Sequence, residues 1–342
     1  MVKAHRVTIQ DVAVLSGLSI CTVSRALRNL PNVSEKAQAK VADAAAKLGY
    51  KASSAAARLA GGNTGSIAII APTATAWFFA QAVEAAEEVF GDSGFDTVLI
   101  SLRGKSSVKR KIFGDLLGLS QRVDGVLLLN VDLSESEVAL LAASGLAVAS
   151  VGMTSVPWDN VGIDDELAAW QATSHLLGLG HWDLAVLSGR ETQENSVLTS
   201  SDRLKGFSRA LKDHHLTVHP DLVINSDSTI DGGRKAMNEL IAHRSLPTAV
   251  FADCDEAAFG ALMAMREHGL SAPKSVSVIG IDDHPMSWFL GLSTVAQPVA
   301  DQGAFAANLL VDRLQNTDAP NEPSNHFLDT KLIERKTTRR QR

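Results

Sequence analysis

The stretch TIQDVAVLSGLSICTVSR, residues 8–25, decides how this chain is to be read. Ile9, Val12 and Ala13 fall at helical spacing, and Val23, Ala26 and Leu27 do so again after an interruption. Gly17 sits where a tight turn needs a residue tolerant of positive φ, and Ser19 can take an orphan backbone N–H as N-cap of the second helix. Two short helices joined by a tight turn result. Such a unit is too small to fold alone, and its usual work is to lay the second helix in the major groove of DNA. Outward from it, residues 29–32 form a loop, and Ser34 opens a third helix with an apolar stripe of Val41, Ala44, Ala45 and Leu48, ended by Gly49. The expected headpiece is residues 1–50.

Charge supports a polyanion as its partner. The net charge of −6 hides an asymmetry: residues 1–62 carry nine Lys/Arg against three Asp/Glu, the remainder 23 against 35. A patterned basic head on an acidic body implies that only the head meets nucleic acid. No apolar run is long enough for a membrane span, and residues 1–12 do not read as a signal peptide. Cys21 and Cys254, the two cysteines, give neither a disulfide framework nor zinc spacing and fit a reducing cytoplasm.

Residues 51–62, KASSAAARLAGG, form an Ala-rich linker that favours helix but is too short to hold one alone. From Ser66 the pattern changes to short continuous apolar runs alternating with amphipathic segments. Strands are predicted at 67–70, 97–101, 125–129, 147–151, 184–188, 221–224, 248–252 and 276–280. Helices are predicted at 79–90, 107–120, 134–143, 165–179, 202–213, 231–243 and 255–268. Such runs between helices mark parallel strands covered on both faces, and there are too many units for one sheet. The expected core, 63–342, is therefore a pair of α/β lobes, one near 65–161 plus 295–322, the other near 162–294 plus 323–336. In open α/β sheets a ligand sits at the carboxyl ends of the strands, so the cleft between lobes is the default site.

These residues resemble the lactose/galactose-repressor (LacI/GalR) family of transcriptional regulators over nearly the full length. The resemblance is carried by Thr8 through Ala13, Gly17-Leu18-Ser19, Thr22 through Leu27, Val33-Ser34 and Leu48-Gly49-Tyr50. It continues in Leu59-Ala60-Gly61, Phe78-Phe79, Leu179-Gly180-His181, Arg203 with Gly206-Phe207, residues 277–283, Gln297-Pro298 and Leu332 through Arg335. It implies a helix-turn-helix headpiece, a hinge helix and a two-lobed core like that of periplasmic binding proteins. It also implies a homodimer on a palindromic operator, cytoplasmic and on the nucleoid when bound, with a small-molecule effector and no cofactor. The family's base-reading positions fall on Ile20, Cys21 and Arg25, with Thr22 and Ser24 nearby. Arg25 suits a bidentate contact to guanine, and Ile20 and Cys21 suit a thymine methyl. Thr8, Ser19, Asn29 and Tyr50 are candidates for phosphate contacts. Leu59 matches the family's minor-groove wedge, with Arg58 beside it.

In the core, Arg203 and Asp282 match the family's pocket pair, able to fork onto vicinal hydroxyls or ring atoms. They could instead pair with each other or with Asp164. Phe78 and Phe79 fall where an aromatic packs on the ligand, and Thr73 is a weaker candidate. Asp227 and Cys254 depart from what relatives commonly carry, which puts a plain hexose in doubt and leaves a sugar, a sugar phosphate or a nucleoside open, the last as corepressor. Trp77, Trp158 and Trp288 could supply a replacement stacking face. For dimerisation the helix at 80–90 and the region near Leu262 are candidates, and the C-terminal KTTRRQR reads as a frayed basic tail.

Two other classes fit less well. A solute-binding receptor with the same core predicts an export signal and no basic head. An enzyme finds little support: Asp164-Asp165 and Asp282-Asp283 are adjacent rather than opposed, His214, His215 and His219 lie in a polar loop, and 61–65 lacks the Lys-Ser/Thr of a P-loop.

Overall fold

The computed structural model describes residues 7–27, 33–50, 63–153, 155–189, 198–242, 246–316 and 322–341. They divide into two compact units, one ending at Gly65 and one beginning at Ser66. The predicted hinge, with Arg58 and Leu59, lies outside the described residues, as does Asn29.

The first unit is the three-helix headpiece, with helices Ile9–Ser16, Ile20–Leu27 and Glu35–Leu48. Val12, Val23, Val41 and Ala44 form its core, each less than 3 % exposed, with Leu48 and Tyr50 packed against them. Burying each such valine is worth about 1.5–3 kcal/mol, so a unit this small depends on every one of them. The turn forms as its residues dictate. Gly17 closes the first helix at φ 69°, and Ser19 Oγ accepts from the Thr22 N–H at 3.1 Å.

The second unit has two six-stranded sheets. The first is built from β1 (Ser66–Ala71), β2 (Asp96–Ser101), β3 (Gly125–Leu129), β4 (Ala147–Val151), β5 (Asp159–Gly162) and β11 (Asn325–Phe327), in the order β11-β5-β4-β3-β1-β2, all parallel. The second takes β6 (Leu184–Ser188), β7 (Val223–Asn225), β8 (Ala249–Ala252), β9 (Ser277–Asp282), β10 (Ser293–Ala296) and β12 (Lys331–Ile333), in the order β12-β10-β9-β8-β6-β7, with only β10 and β12 antiparallel. β1 is buried at all six positions and runs in register with β3 from Ile67 opposite Gly125 to Ile70 opposite Leu128. Each sheet has a hydrophobic core on both faces, which is why its strands are continuous apolar runs rather than alternating ones.

The chain crosses between lobes after β5, after β10 and after β11. Two expected boundaries therefore move. Residues 295 and 296 belong to the second lobe, because β10 pairs with β9, and residues 325–327 belong to the first, because β11 pairs with β5. Strands of three or four residues such as β11 and β12 carry too little pattern to be placed by periodicity. The helix expected over 107–120 is two, Ser106–Phe113 and Leu116–Ser120. The break is set by Asp115, whose side chain caps the second by accepting from the Gly118 N–H at 3.0 Å.

The C-terminus is docked, not frayed. Thr337 is buried, its hydroxyl donating to the Val278 carbonyl at 2.7 Å and accepting from the Ser293 N–H at 2.9 Å. Arg339 N–H donates to Ser277 Oγ at 3.2 Å, and Gln341 N–H to the Leu179 carbonyl at 2.8 Å. The basic side chains misled: the backbone and threonines between them hold the tail along the second lobe.

Candidate functional site: a recognition helix and an inter-lobe cleft

On the headpiece, the helix Ile20–Leu27 turns Val23 and Ala26 inward, which leaves Ile20 and Cys21 exposed and Ser24 and Arg25 half-exposed on the opposite side. Residues three and four apart share a helix face, so Ile20 and Ser24, and Cys21 and Arg25, form adjoining rows. Thr22 is tied to the turn by its hydroxyl, 2.8 Å from that of Ser19. Thr8 is exposed at the start of the first helix, where the Asp11 carboxylate accepts from both its N–H, at 2.7 Å, and its hydroxyl, at 2.8 Å. Tyr50 is half-buried against the headpiece core, so only part of it is open to a partner.

In the second unit a cavity of about 230 Å³ opens at the carboxyl ends of the strands of both sheets. Among the sequence-predicted residues it brings together Thr73, Phe78, Phe79, Arg203, Asp227, Cys254 and Asp282. Asp164 is not among them. Its carboxylate caps the helix Asp165–Gly178, accepting from the Leu167 N–H at 2.8 Å, and it lines a neighbouring cavity instead. The next residue, Asp165, faces Arg203: Nε donates to Asp165 Oδ1 at 2.8 Å, while Nη1 donates to the Asp253 carbonyl. The Asp165, Asp282 and Asp253 carboxylates hold the guanidinium protonated above its ordinary value, against the opposing effect of its burial.

Asp282 ends β9 with φ 131°, a conformation rarely adopted by a residue with a side chain, and its Oδ1 accepts from Gln297 Nε2 at 2.6 Å. Gln302 Nε2 in turn donates to Gln297 Oε1 at 2.9 Å. Burial pushes the Asp282 carboxyl up to about 7, against the pull of the Arg203 guanidinium and the Gln297 amide. Asn130, Asp227 and Ser228 also line the cavity with positive φ, at 46°, 50° and 49°. Four positive-φ residues with side chains are thus gathered at the carboxyl ends of the strands, in the cleft between the lobes.

The phenyl rings of Phe78 and Phe79 meet edge to face, 5.3 Å apart, and both line the cavity. Thr73 does too, its hydroxyl 3.0 Å from that of Thr75. Cys254 caps the helix Asp255–Glu267, its sulfur accepting from the Ala257 N–H at 3.4 Å and donating to the Ser228 carbonyl at 3.4 Å. Burial first, then the Asp253 and Asp282 carboxylates, push its thiol well above the ordinary range, so it serves as a neutral cap. The tryptophans do not replace a stacking face in the cavity. Trp158 is buried, donating to Ser150 Oγ at 3.1 Å, Trp288 is 70 % exposed against Phe289, and the Trp77 ring lies tilted by 52° to that of His284 with centroids 5.0 Å apart.

Asp253 was missed by sequence reasoning. It is 1 % exposed at the end of β8, and its Oδ2 accepts from Gly189 N–H at 2.7 Å, Ser228 Oγ at 2.8 Å and Ser200 Oγ at 3.0 Å. The available signal was its position, a carboxylate just past the carboxyl end of an internal parallel strand.

A helix-turn-helix headpiece joined to a two-lobed core with a cleft is the architecture of a class of DNA-binding regulators. Residues 8–53 match the family described as bacterial regulatory proteins, lacI family, and residues 173–338 match the periplasmic binding protein-like domain. The HTH-type transcriptional repressor PurR of Glaesserella parasuis is 32 % identical over 92 % of this chain and 93 % of its own length. The lac repressor dimer bound to operator and the anti-inducer ONPF is similar with TM-score 0.81 and 25 % identity, over 97 % of this chain and 99 % of that one. A complex of the transcriptional regulator CelR with cellobiose is similar with TM-score 0.71 and 29 % identity, over 97 % of this chain and 100 % of that one. The chain belongs to the lacI family and is a DNA-binding transcriptional regulator. No helix among the described residues is long and apolar enough to cross a membrane.

Proposed function

We propose that the protein is a repressor that binds a palindromic operator as a homodimer, its affinity set by a small molecule in the inter-lobe cleft. One observation carries this reading. The same chain holds a helix face with exposed Ile20 and Cys21 and half-exposed Arg25 and, in its other unit, a cavity where Arg203, Asp282 and two phenylalanines converge from both lobes. Arg25 reads guanine, while Ile20 and Cys21 offer apolar contact to thymine methyls. Thr8, Ser19 and Tyr50 hold phosphates, joined by Asn29. Leu59 and Arg58 of the hinge at 51–62 engage the minor groove.

The effector is a sugar or sugar derivative, or alternatively a nucleoside or purine. CelR in complex with cellobiose supports the first reading and the relation to PurR the second. A ligand seated on both lobes favours one relative lobe arrangement, and its binding is coupled reciprocally to operator affinity by on the order of 1–3 kcal/mol. Selection of duplexes from a random DNA pool, followed by titration with and without small molecules, tests this. Two-fold-related half-sites in the selected DNA and an operator affinity that moves with cleft ligands are expected. Selected sites without two-fold symmetry sink the dimer reading, and an affinity indifferent to every cleft ligand sinks effector control.

A further inference from the structure

Two aromatic side chains meet from opposite lobes. Trp77 opens the helix Trp77–Asp92 and packs against the core of the first lobe, whereas His284 follows β9 in the second. Their ring centroids lie 5.0 Å apart, the planes tilted by 52°. The same imidazole meets Phe259 edge to face at 5.2 Å, so a first-lobe indole touches an aromatic pair of the second lobe. The contact borders the cavity, since Ala76, next to Trp77, and Glu256, one turn from Phe259, both line it. Trp77 has a second tie across the cleft. Its helix has Ala76 as N-cap, with no side-chain cap and no acidic residue in the first turn. Glu256 supplies that negative charge from the other lobe: burial pushes its carboxyl up, and the Trp77 backbone N–H draws it down. His284 is itself anchored. Its N–H donates to Asp255 Oδ2 at 2.9 Å, and its Nδ1 accepts from the Met286 N–H at 2.9 Å, capping the helix Pro285–Leu290. Only an imidazole unprotonated at Nδ1 can accept there, and burial favours that neutral ring. The indole therefore closes on a fixed partner.

We infer that Trp77 and His284 form a clasp between the lobes, which sets how readily the cleft opens through contacts of the protein with itself. An aromatic pair of this kind shifts an equilibrium between lobe arrangements about two- to tenfold. The apparent affinity of a ligand scales with the population of the arrangement that admits it. The clasp thus tunes the response of the cleft from two residues that do not line the cavity. That consequence rests on the cleft being the effector site, whereas the clasp itself does not.

Cys254 reports on the opening. It is buried, lines the cavity and belongs to the lobe opposite Trp77, so its rate of alkylation follows the open population. Cys21 is exposed, reacts first, and is followed separately by peptide mass. The full chain is labelled at one pH with iodoacetamide and with a bulky fluorescein maleimide, as wild type, Trp77→Ala, Trp77→Phe and His284→Asn. Asparagine is a good N-cap, so His284→Asn keeps an acceptor for the Met286 N–H and removes only the ring. Trp77→Ala and His284→Asn should each speed Cys254 labelling about two- to tenfold with both reagents. Trp77→Phe, which keeps an aromatic ring, should restore most of the protection. A gain seen with iodoacetamide alone marks a local hole and overturns the inference. So do unchanged rates in both ring-deleting variants, or equal rates in Trp77→Phe and Trp77→Ala. If Trp77→Ala does not fold, His284→Asn decides alone. The readout uses neither operator nor effector. Its failure leaves the effector reading standing, and an operator affinity indifferent to cleft ligands leaves the clasp standing.

Discussion

Arg203 Nε and Asp165 Oδ1 lie 2.8 Å apart, with side chains 8 % and 13 % exposed. The pair joins the helix Leu198–Asp213 to the first turn of the helix Asp165–Gly178, just where the chain enters the second lobe. Arg203 is thereby held rigid in the cleft, its second nitrogen anchored on the backbone of Asp253. The cavity is preorganised by ionic contacts before any ligand arrives.

Removal of Asp165 should therefore be expensive. Asp165→Ala strands a buried guanidinium and is expected to cost about 3–5 kcal/mol of stability. Asp164→Ala removes only a helix cap, at about 1 kcal/mol. Urea unfolding of both variants, followed by circular dichroism, checks the order. Equal losses would mean that the Arg203 pair contributes no more than a cap.

Asp282 gives the cleft a pH signature. Its carboxyl holds a proton up to about 7 in the folded chain, whereas an unfolded aspartate releases it near about 3.9. Between those values the folded state binds more protons, so stability falls as pH rises through this window. Asp255, buried against the same strand and also raised, adds to the slope. Asp282→Asn should flatten stability against pH across this window without abolishing the slope. A variant slope equal to that of the wild type would show that Asp282 ionises normally.

Arg25 and Thr8 should separate specificity from affinity. Arg25→Ala is expected to lose about 1–3 kcal/mol on the selected operator and to relax the preference at one base pair. Thr8→Ala should weaken all duplexes alike and leave the preference intact. Fluorescence anisotropy on the operator and on single-base variants distinguishes the two. Preserved preference in Arg25→Ala would move base reading to Ile20 and Cys21.

What the sequence disclosed follows from how local each signal is. The strands of both sheets were legible because burial on two faces makes a run such as Ile67-Ala68-Ile69-Ile70 wholly apolar. The headpiece was legible because Gly17 and Ser19 fix a turn by chemistry confined to neighbours. Arg203 and Asp282 were legible through the family resemblance. Asp164 and Asp165 could not be told apart, since which of two adjacent carboxylates caps a helix and which faces the cleft depends on helix phase at the first turn. Asp253 needed the tertiary arrangement that brings Gly189, Ser200 and Ser228 to one oxygen. The lobe boundaries slipped at β10 and β11 because three- and four-residue strands carry no period.

The docked C-terminus supplies the sharpest departure from the sequence pattern, and a direct check. A frayed tail contributes nothing to stability, whereas Thr337 here satisfies both the Val278 carbonyl and the Ser293 N–H from a buried position. Thr337→Val keeps the volume and removes the hydroxyl, leaving two buried backbone groups of the second sheet without a partner. Each such group costs about 1–3 kcal/mol, so the variant should be destabilised by an amount in that range or above. Truncation after Glu334 also removes the Arg339 and Gln341 backbone contacts and should lower the thermal midpoint further. Wild-type melting in both variants would show that the tail is held by neither the hydroxyl nor its backbone, and that KTTRRQR is the loose basic end its composition suggests.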